Sequence, residues 1–288
     1  MTAPRKILPG TTYQLTRRCA RRQLLLRPSA IVNRIILYCI AYAAKKTGII
    51  IHAIVTLSNH VHILLTDPDG RIPEFTQWLF EHTAKCRNAS LGRWENLWSS
   101  DQPSQIPLES PDDILDKLLY IMTNPTAAAL VHKAEQWPGV ITLPGDYKTG
   151  PIEVQRPEVF FRADGLMPAT VNLDIQRPLD FDHMTTDDFI DMVTDELRLR
   201  EADINLQHRL AGRTILGRNA VLAQDPFDYP LGMEPRRNLN PKVAAKDKWQ
   251  RVEILRRDAD WYEAYDEALE GFQAGDRDVL FPAGTYWM

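Results

Sequence analysis

No aspartate or glutamate occurs before Asp67, although the same stretch carries ten Lys and Arg side chains. The absence leaves an unopposed basic surface of the kind that attracts a polyanion. The total conceals it: the net charge is -4, because residues 1–150 hold 17 basic and 12 acidic side chains whereas 151–288 hold 17 and 26. The plainer alternative is a set of solvated charges balanced in three dimensions by the acidic second half. Cysteine is also scarce. Cys19, Cys39 and Cys86 stand singly, which excludes a disulfide framework and a zinc site built on paired cysteines, so they are expected to be reduced and buried. No apolar run has the length that spans a bilayer, and Met1 to Lys6 lead into no secretory signal core, so a cytoplasmic protein with no membrane partner is expected. Internal repeats and low-complexity tracts are lacking too. With 288 residues, 44% of them hydrophobic, the chain can bury one large core or two modest ones.

The first half alternates strand and helix patterns. Thr11 to Thr16 reads as a strand running into the Arg17, Arg18, Arg21, Arg22 cluster; Pro28-Ser29 then opens a helix with the stripe Val32, Ile35, Ile36, Cys39, Ile40 and Ala43, closed by Gly48. Ile49 to Leu57 is an apolar strand, and the short Ser58-Asn59 turn makes the strand that follows its antiparallel neighbour. A helix from about Pro73 to Leu91 and a connecting segment, Arg93 to Trp98, come next. Ser110-Pro111-Asp112-Asp113 starts a further helix, with a Ser cap, Pro in the first turn and acids behind it, running to about Asn124. The order predicts an α+β domain, an antiparallel sheet with helices on one face, within residues 1–148. Residues 149–288 read as an accessory region: a small hairpin around Glu158 to Ile175, a helix from Thr186 to about Leu210, Pro- and Arg-rich loops, and a last helix from about Asp247 to Phe272.

Chemistry concentrates in Asn59-His60-Val61-His62-Ile63-Leu64-Leu65. Side chains alternate along a strand, so His60 and His62 project from one face, roughly 6 to 7 Å apart along the backbone, and can share a metal ion. On the capped helix Ile114, Leu115, Leu118, Ile121 and Met122 share an apolar face, while Asp116, Tyr120 and Asn124 lie on another. A phenol and an amide one turn apart, together with two imidazoles, suit phosphoryl transfer. A divalent ion on His60, His62 and the Asn124 oxygen would act as Lewis acid while Tyr120 attacks phosphorus. That ligand set suits Mn²⁺ or Mg²⁺, with Mg²⁺ the less natural partner for histidine. For Asn124, capping the helix end is an equal reading.

These motifs resemble a known family. The His-Val-His strand is similar to the His-hydrophobic-His signature of HUH endonucleases, and Tyr120-Ile121-Met122-Thr123-Asn124-Pro125 resembles the tyrosine helix of single-tyrosine transposases of the IS200-like kind, particularly the REP-associated tyrosine transposases. The resemblance covers about residues 9–140. It implies a ferredoxin-like or RRM-like sheet displaying the histidines, and Tyr120 as the nucleophile that cuts single-stranded DNA near hairpins through a 5′-phosphotyrosine intermediate. Single-stranded or hairpin DNA of inverted-repeat elements would be the partner, and a monomer or homodimer the working unit. The chain departs from the pattern after Pro125, where Thr126-Ala127-Ala128-Ala129 replaces a run that often carries a basic residue. A catalytically silent, domesticated hairpin-binding protein is therefore the alternative. Arg17, Arg18, Arg21, Arg22, Arg93 and Trp94 are the candidate DNA contacts, by charge and by stacking on unpaired bases. For Trp94 and Trp98 an anchoring role in the core competes. His52, in the apolar strand, reads as a satisfied core histidine, and His82 as a helix-surface residue.

Overall fold

The structure, a computed structural model, describes residues 4–230 and 243–286. Part of the Pro- and Arg-rich stretch, residues 231–242, lies outside the described residues. The chain runs β1 (Thr11–Arg18), α1 (Ala30–Thr47), β2 (Ile50–Leu57), β3 (His60–Asp67), α2 (Ile72–Leu91), β4 (Ser104–Leu108) and α3 (Pro111–Ala127). The four strands form one antiparallel sheet in the order β2-β3-β1-β4, the ferredoxin-like arrangement with the first and third strands in the middle. β4 is absent from the sequence reading. It is a five-residue edge strand with Pro107 inside it, and an edge position is where a strand tolerates proline.

Local signals set the helix ends. The Ser29 hydroxyl accepts from the Val32 N–H, and Gly48 closes α1 in the left-handed region at φ 75°, where glycine carries no Cβ penalty. Ser110 caps α3 by accepting from Asp113 N–H. α3 outlasts the expected stop near Asn124 and continues to Ala127 with Pro125 inside it. Proline removes one donor near the helix end, yet the Asn124 carbonyl still accepts from Ala128 N–H at 3.0 Å, and fully buried Thr126 keeps the last turn packed.

The sheet is covered on both faces. Val61, Ile63 and Leu65 of β3 join Tyr13 and Leu15 of β1 and the inner sides of α1 and α2 in one core. Ala53, Val55, Leu57 and Leu64 meet Ile114, Leu118, Ile121 and Met122 of α3 in a second. Each Val, Leu, Ile or Met side chain among them contributes about 1.5–3 kcal/mol on burial. Helices on one face thus describe α1 and α2 alone. β2 and β3 are apolar on both sides, so the second face also needs a cover, which α3 supplies.

The rest of the chain extends both cores. β5 (Ile152–Gln155) and β6 (Thr170–Leu173) form the hairpin, and Val154, Val171 and Leu173 enter the first core. Its first strand lies before the expected Glu158 to Phe161 run, because Phe161 packs on Tyr38 with ring centroids 5.6 Å apart instead of pairing in a sheet. Phe189, Val193 and Leu197 of α4 (Thr186–Leu210) and Val221 of α5 (Arg218–Ala223) enter the second core. α6 (Lys248–Gln273) is the expected last helix, capped by Asp247. All three cysteines are buried and free. Among the described residues no helix is long and apolar enough to cross a membrane.

Candidate active site

Register places the histidines. Pairing of β1 with β3 sets Thr16 opposite His62 and Arg18 opposite His60. The two imidazoles stand 4.8 Å apart between centroids, nearly perpendicular. Each is oriented through Nδ1: His62 bonds the Thr16 hydroxyl at 2.7 Å, and His60 donates to Asn59 Oδ1 at 2.6 Å. The other end of the Asn59 amide donates to the Arg22 carbonyl at 3.2 Å. An amide oxygen can only accept, so the His60 proton sits on Nδ1 and Nε2 keeps its lone pair. His62 Nε2 is buried and has no hydrogen-bond partner among the described residues. Burial and the nearby Arg18 cation pull His60 down to about 4, and burial, His60 and Arg18 pull His62 well below the usual imidazole value. Both rings are therefore neutral at pH 7, the form that ligates a metal.

α3 brings the phenol to this pair. The Tyr120 ring lies 5.3 Å from that of His62, edge-on, and Asn124, one turn further along α3, is buried and influences the titration of both His60 and Tyr120. Tyr120 remains 39% exposed, so a polymer can reach it from solvent. Burial raises its pKa above the usual phenol value, with Asn124 and Arg18 partly opposing, so the hydroxyl keeps its proton at neutral pH. One turn earlier Asp116 receives Arg200 at 2.8 Å from α4 and Lys246 at 2.9 Å, and the Lys246 N–H donates to Asp113 at 3.0 Å. Burial alone would push the Asp116 carboxyl up, yet the hydrogen bonds from Lys246 and Arg200 outweigh it and hold it at about 2. At the far end of α3 His208 Nε2 donates to the Thr126 carbonyl at 2.9 Å. The helix that carries Tyr120 is thus held along its length.

Two neutral imidazoles, an open buried Nε2 and an amide fit a divalent ion of the imidazole-binding kind. Among the described residues no group of three or more His, Cys, Asp or Glu gathers into a metal cluster, so His60, His62 and Asn124 remain the candidate set.

The other candidates separate. Arg18 stays with the histidines. Arg21 and Arg22 form the turn after β1, both at positive φ, and Arg21 shares a neighbouring cleft with Arg93. Trp94, between Arg93 and Glu95, is 90% exposed. Arg17 points to the opposite face, where its guanidinium donates to the Asp101 and Ser99 carbonyls and lies 5.7 Å over the Phe80 ring. Trp98 is an anchor, donating to the Phe80 carbonyl at 2.8 Å. His52 is the satisfied core histidine expected of it. His82 is stacked on Trp78 at 4.0 Å and half-buried, so it covers an aromatic cluster rather than standing in solvent. Thr16 and Asn59, which orient the imidazoles, escape a sequence reading because their partners are fixed by register and by the turn.

The chain is similar to the solved structure of a REP-associated tyrosine transposase bound to a REP hairpin, with 20% identity and a TM-score of 0.41 over 48% of this chain and 81% of that one. It is also similar to a candidate transposase from Deinococcus radiodurans R1, with 20% identity and a TM-score of 0.31 over 42% of this chain and 95% of that one. No protein-family model and no curated protein matches the chain.

Proposed function

We propose that this protein is a metal-dependent single-strand DNA endonuclease and strand transferase of the HUH transposase type, acting near DNA hairpins. The observation that carries the reading is the meeting of Tyr120, Asn124 and the open Nε2 of His62 at one partly exposed point. His60 and His62, with the Asn124 oxygen, would hold a Mn²⁺ or Mg²⁺ ion, which when bound supplies Lewis-acid polarisation of a phosphate oxygen. The chain's own groups do the rest. The Tyr120 oxygen forms a bond to phosphorus as its proton leaves, and the bond from phosphorus to the 3′ oxygen breaks. The products are a 5′-phosphotyrosine and a free 3′-hydroxyl. One ester replaces another, so no nucleotide cofactor is consumed, and attack by a 3′-hydroxyl reverses the step into strand transfer. Arg18, opposite His60, and the basic stretch that precedes the first acidic residue, Asp67, support a polyanionic strand as partner.

The test is a denaturing gel of labelled hairpin DNA with single-stranded flanks, incubated with protein and Mn²⁺ or Mg²⁺. A covalent adduct is expected with the wild-type chain and none with Tyr120→Phe. An adduct that persists in Tyr120→Phe sinks the nucleophile assignment. Binding with no adduct across the native flanking hairpins makes the protein the catalytically silent binder.

A further inference from the structure

A second concavity lies at the end of the sheet where β3 begins. It is a cleft of about 510 Å³, within the roughly 300–1,000 Å³ typical of small-ligand sites. Three stretches remote in sequence wall it: Ala20, Arg21 and Gln23 after β1, Arg93, Glu95 and Asn96 after α2, and Phe227 after α5. The walls are tied together. Ala20 N–H donates to the Leu97 carbonyl and Leu24 N–H to the Asp228 carbonyl, both at 2.8 Å, and the Gln23 amide donates to the Phe227 carbonyl at 3.2 Å. Phe227 itself is fixed by its N–H, which donates to Asp225 at 2.9 Å. Arg21 and Arg22 sit at φ 52° and 61°, a backbone region that side chains with a Cβ rarely adopt and that collects at ligand sites.

The lining has a definite chemistry. Phe227 offers a half-exposed flat ring, Gln23 and Asn96 offer amides, and Arg21 lies on the rim. Arg93 has its Nε on Glu95 at 2.9 Å, while its Nη1 is buried and has no acceptor among the described residues. A stacking ring, amide groups, the Arg93 guanidinium in the wall and a basic rim match a nucleobase with its phosphate.

We propose that the cleft takes one unpaired nucleotide of the single strand beside a DNA hairpin, its base stacked on Phe227 with a carbonyl edge toward Arg93 and its phosphate toward Arg21. The inference rests on the nucleic-acid reading above and adds a specificity site to it. Asn59 joins the Arg22 carbonyl to His60, so a nucleotide seated in the cleft sets which phosphate along the strand reaches Tyr120.

The experiment uses the full chain and a DNA hairpin with short single-stranded flanks, in which 2-aminopurine occupies each flank position in turn, beside the same hairpin made blunt. In the wild type one flank position should be quenched. Phe227→Ala should restore that emission and weaken binding of the flanked hairpin about tenfold, as loss of one base–aromatic stack does, while the blunt hairpin binds unchanged. Phe227→Tyr, which keeps the ring, should behave as wild type and shows that the loss is not one of folding. Quenching at no position, or equal affinity of wild type and Phe227→Ala for the flanked hairpin, overturns the cleft assignment. Scoring the Tyr120 adduct in the same samples separates the two claims. An adduct without quenching leaves the cutting reading standing and removes the cleft; quenching without an adduct does the reverse. Failure to bind either hairpin overturns both.

Discussion

His52 and His62 lie on neighbouring strands of one sheet, both buried and both held neutral, and their surroundings differ in a single nitrogen. His52 stands where the β2–β3 register slips between Ile51 and Ala53. Its Nδ1 donates to the Gln176 carbonyl at 2.7 Å, and its Nε2 accepts from the Thr66 hydroxyl at 2.7 Å, which in turn pairs with Thr12 at 2.7 Å. Every polar atom of that chain has a partner. His62 has one nitrogen on Thr16 and the other on nothing among the described residues. An unsatisfied buried polar atom costs about 1–3 kcal/mol. The sheet that closes one histidine network completely leaves its neighbour open beside a tyrosine and an amide. A saturated network is architecture; an unpartnered nitrogen on a ring packed beside a tyrosine is what singles out this end of the sheet as the candidate site.

The comparison breaks or holds on exchange of the two roles. His52→Ala strands the Gln176 carbonyl and the Thr66 hydroxyl in the core, so urea unfolding should show a loss of about 2–4 kcal/mol. His62→Ala removes a group that was already half unsatisfied. It should cost about 1 kcal/mol or less while abolishing Mn²⁺ binding in titration calorimetry. Equal stability losses in the two variants would erase the distinction.

A smaller effect concerns pH. Burial, partly opposed by the Gln176 carbonyl and Asp180, pulls His52 from its ordinary 6.5 down to about 4. The unfolded chain therefore binds this proton first. Its contribution to stability is complete above about pH 6.5 and is lost as the pH falls toward 4, with a slope of up to about 1.4 kcal/mol per pH unit. His52→Gln should flatten that part of the curve, as denaturant midpoints across the window will show; an unchanged slope assigns the proton elsewhere.

The smallest expected effect extends the comparison from strand to helix. Asp116→Asn weakens a partly exposed clamp to Arg200 and Lys246 and should cost about 1 kcal/mol at most. If the clamp orients α3, the rate of adduct formation by Tyr120 should fall by more than that stability loss explains. Parallel losses in rate and in folded population would make Asp116 a stabilising residue only.

Much of this was legible locally. Ser29, Gly48 and Ser110 mark helix ends by hydrogen bonds within a few residues, and alternation along β3 puts His60 and His62 on one face. Tyr120 and Asn124 follow from the helical period. What was hidden depends on distant partners. β4 is short, contains Pro107 and becomes a strand through its pairing with β1. The Glu158 to Phe161 run looks like a strand by composition, but its aromatic residue finds Tyr38 and His82. Nothing local shows that Gln23 will meet Phe227, 204 positions away, or that Arg17 will turn from the strand end to the Ser99 and Asp101 carbonyls.

Covering the second sheet face with α3 has one more consequence. Tyr120 reaches His62 from within the same chain, on a helix fastened by Asp116, Asp113 and Thr126. The two halves of the site therefore face each other at an effective concentration fixed by covalent connection and packing, independent of how dilute the protein is. Bringing phenol to imidazole requires no encounter between molecules.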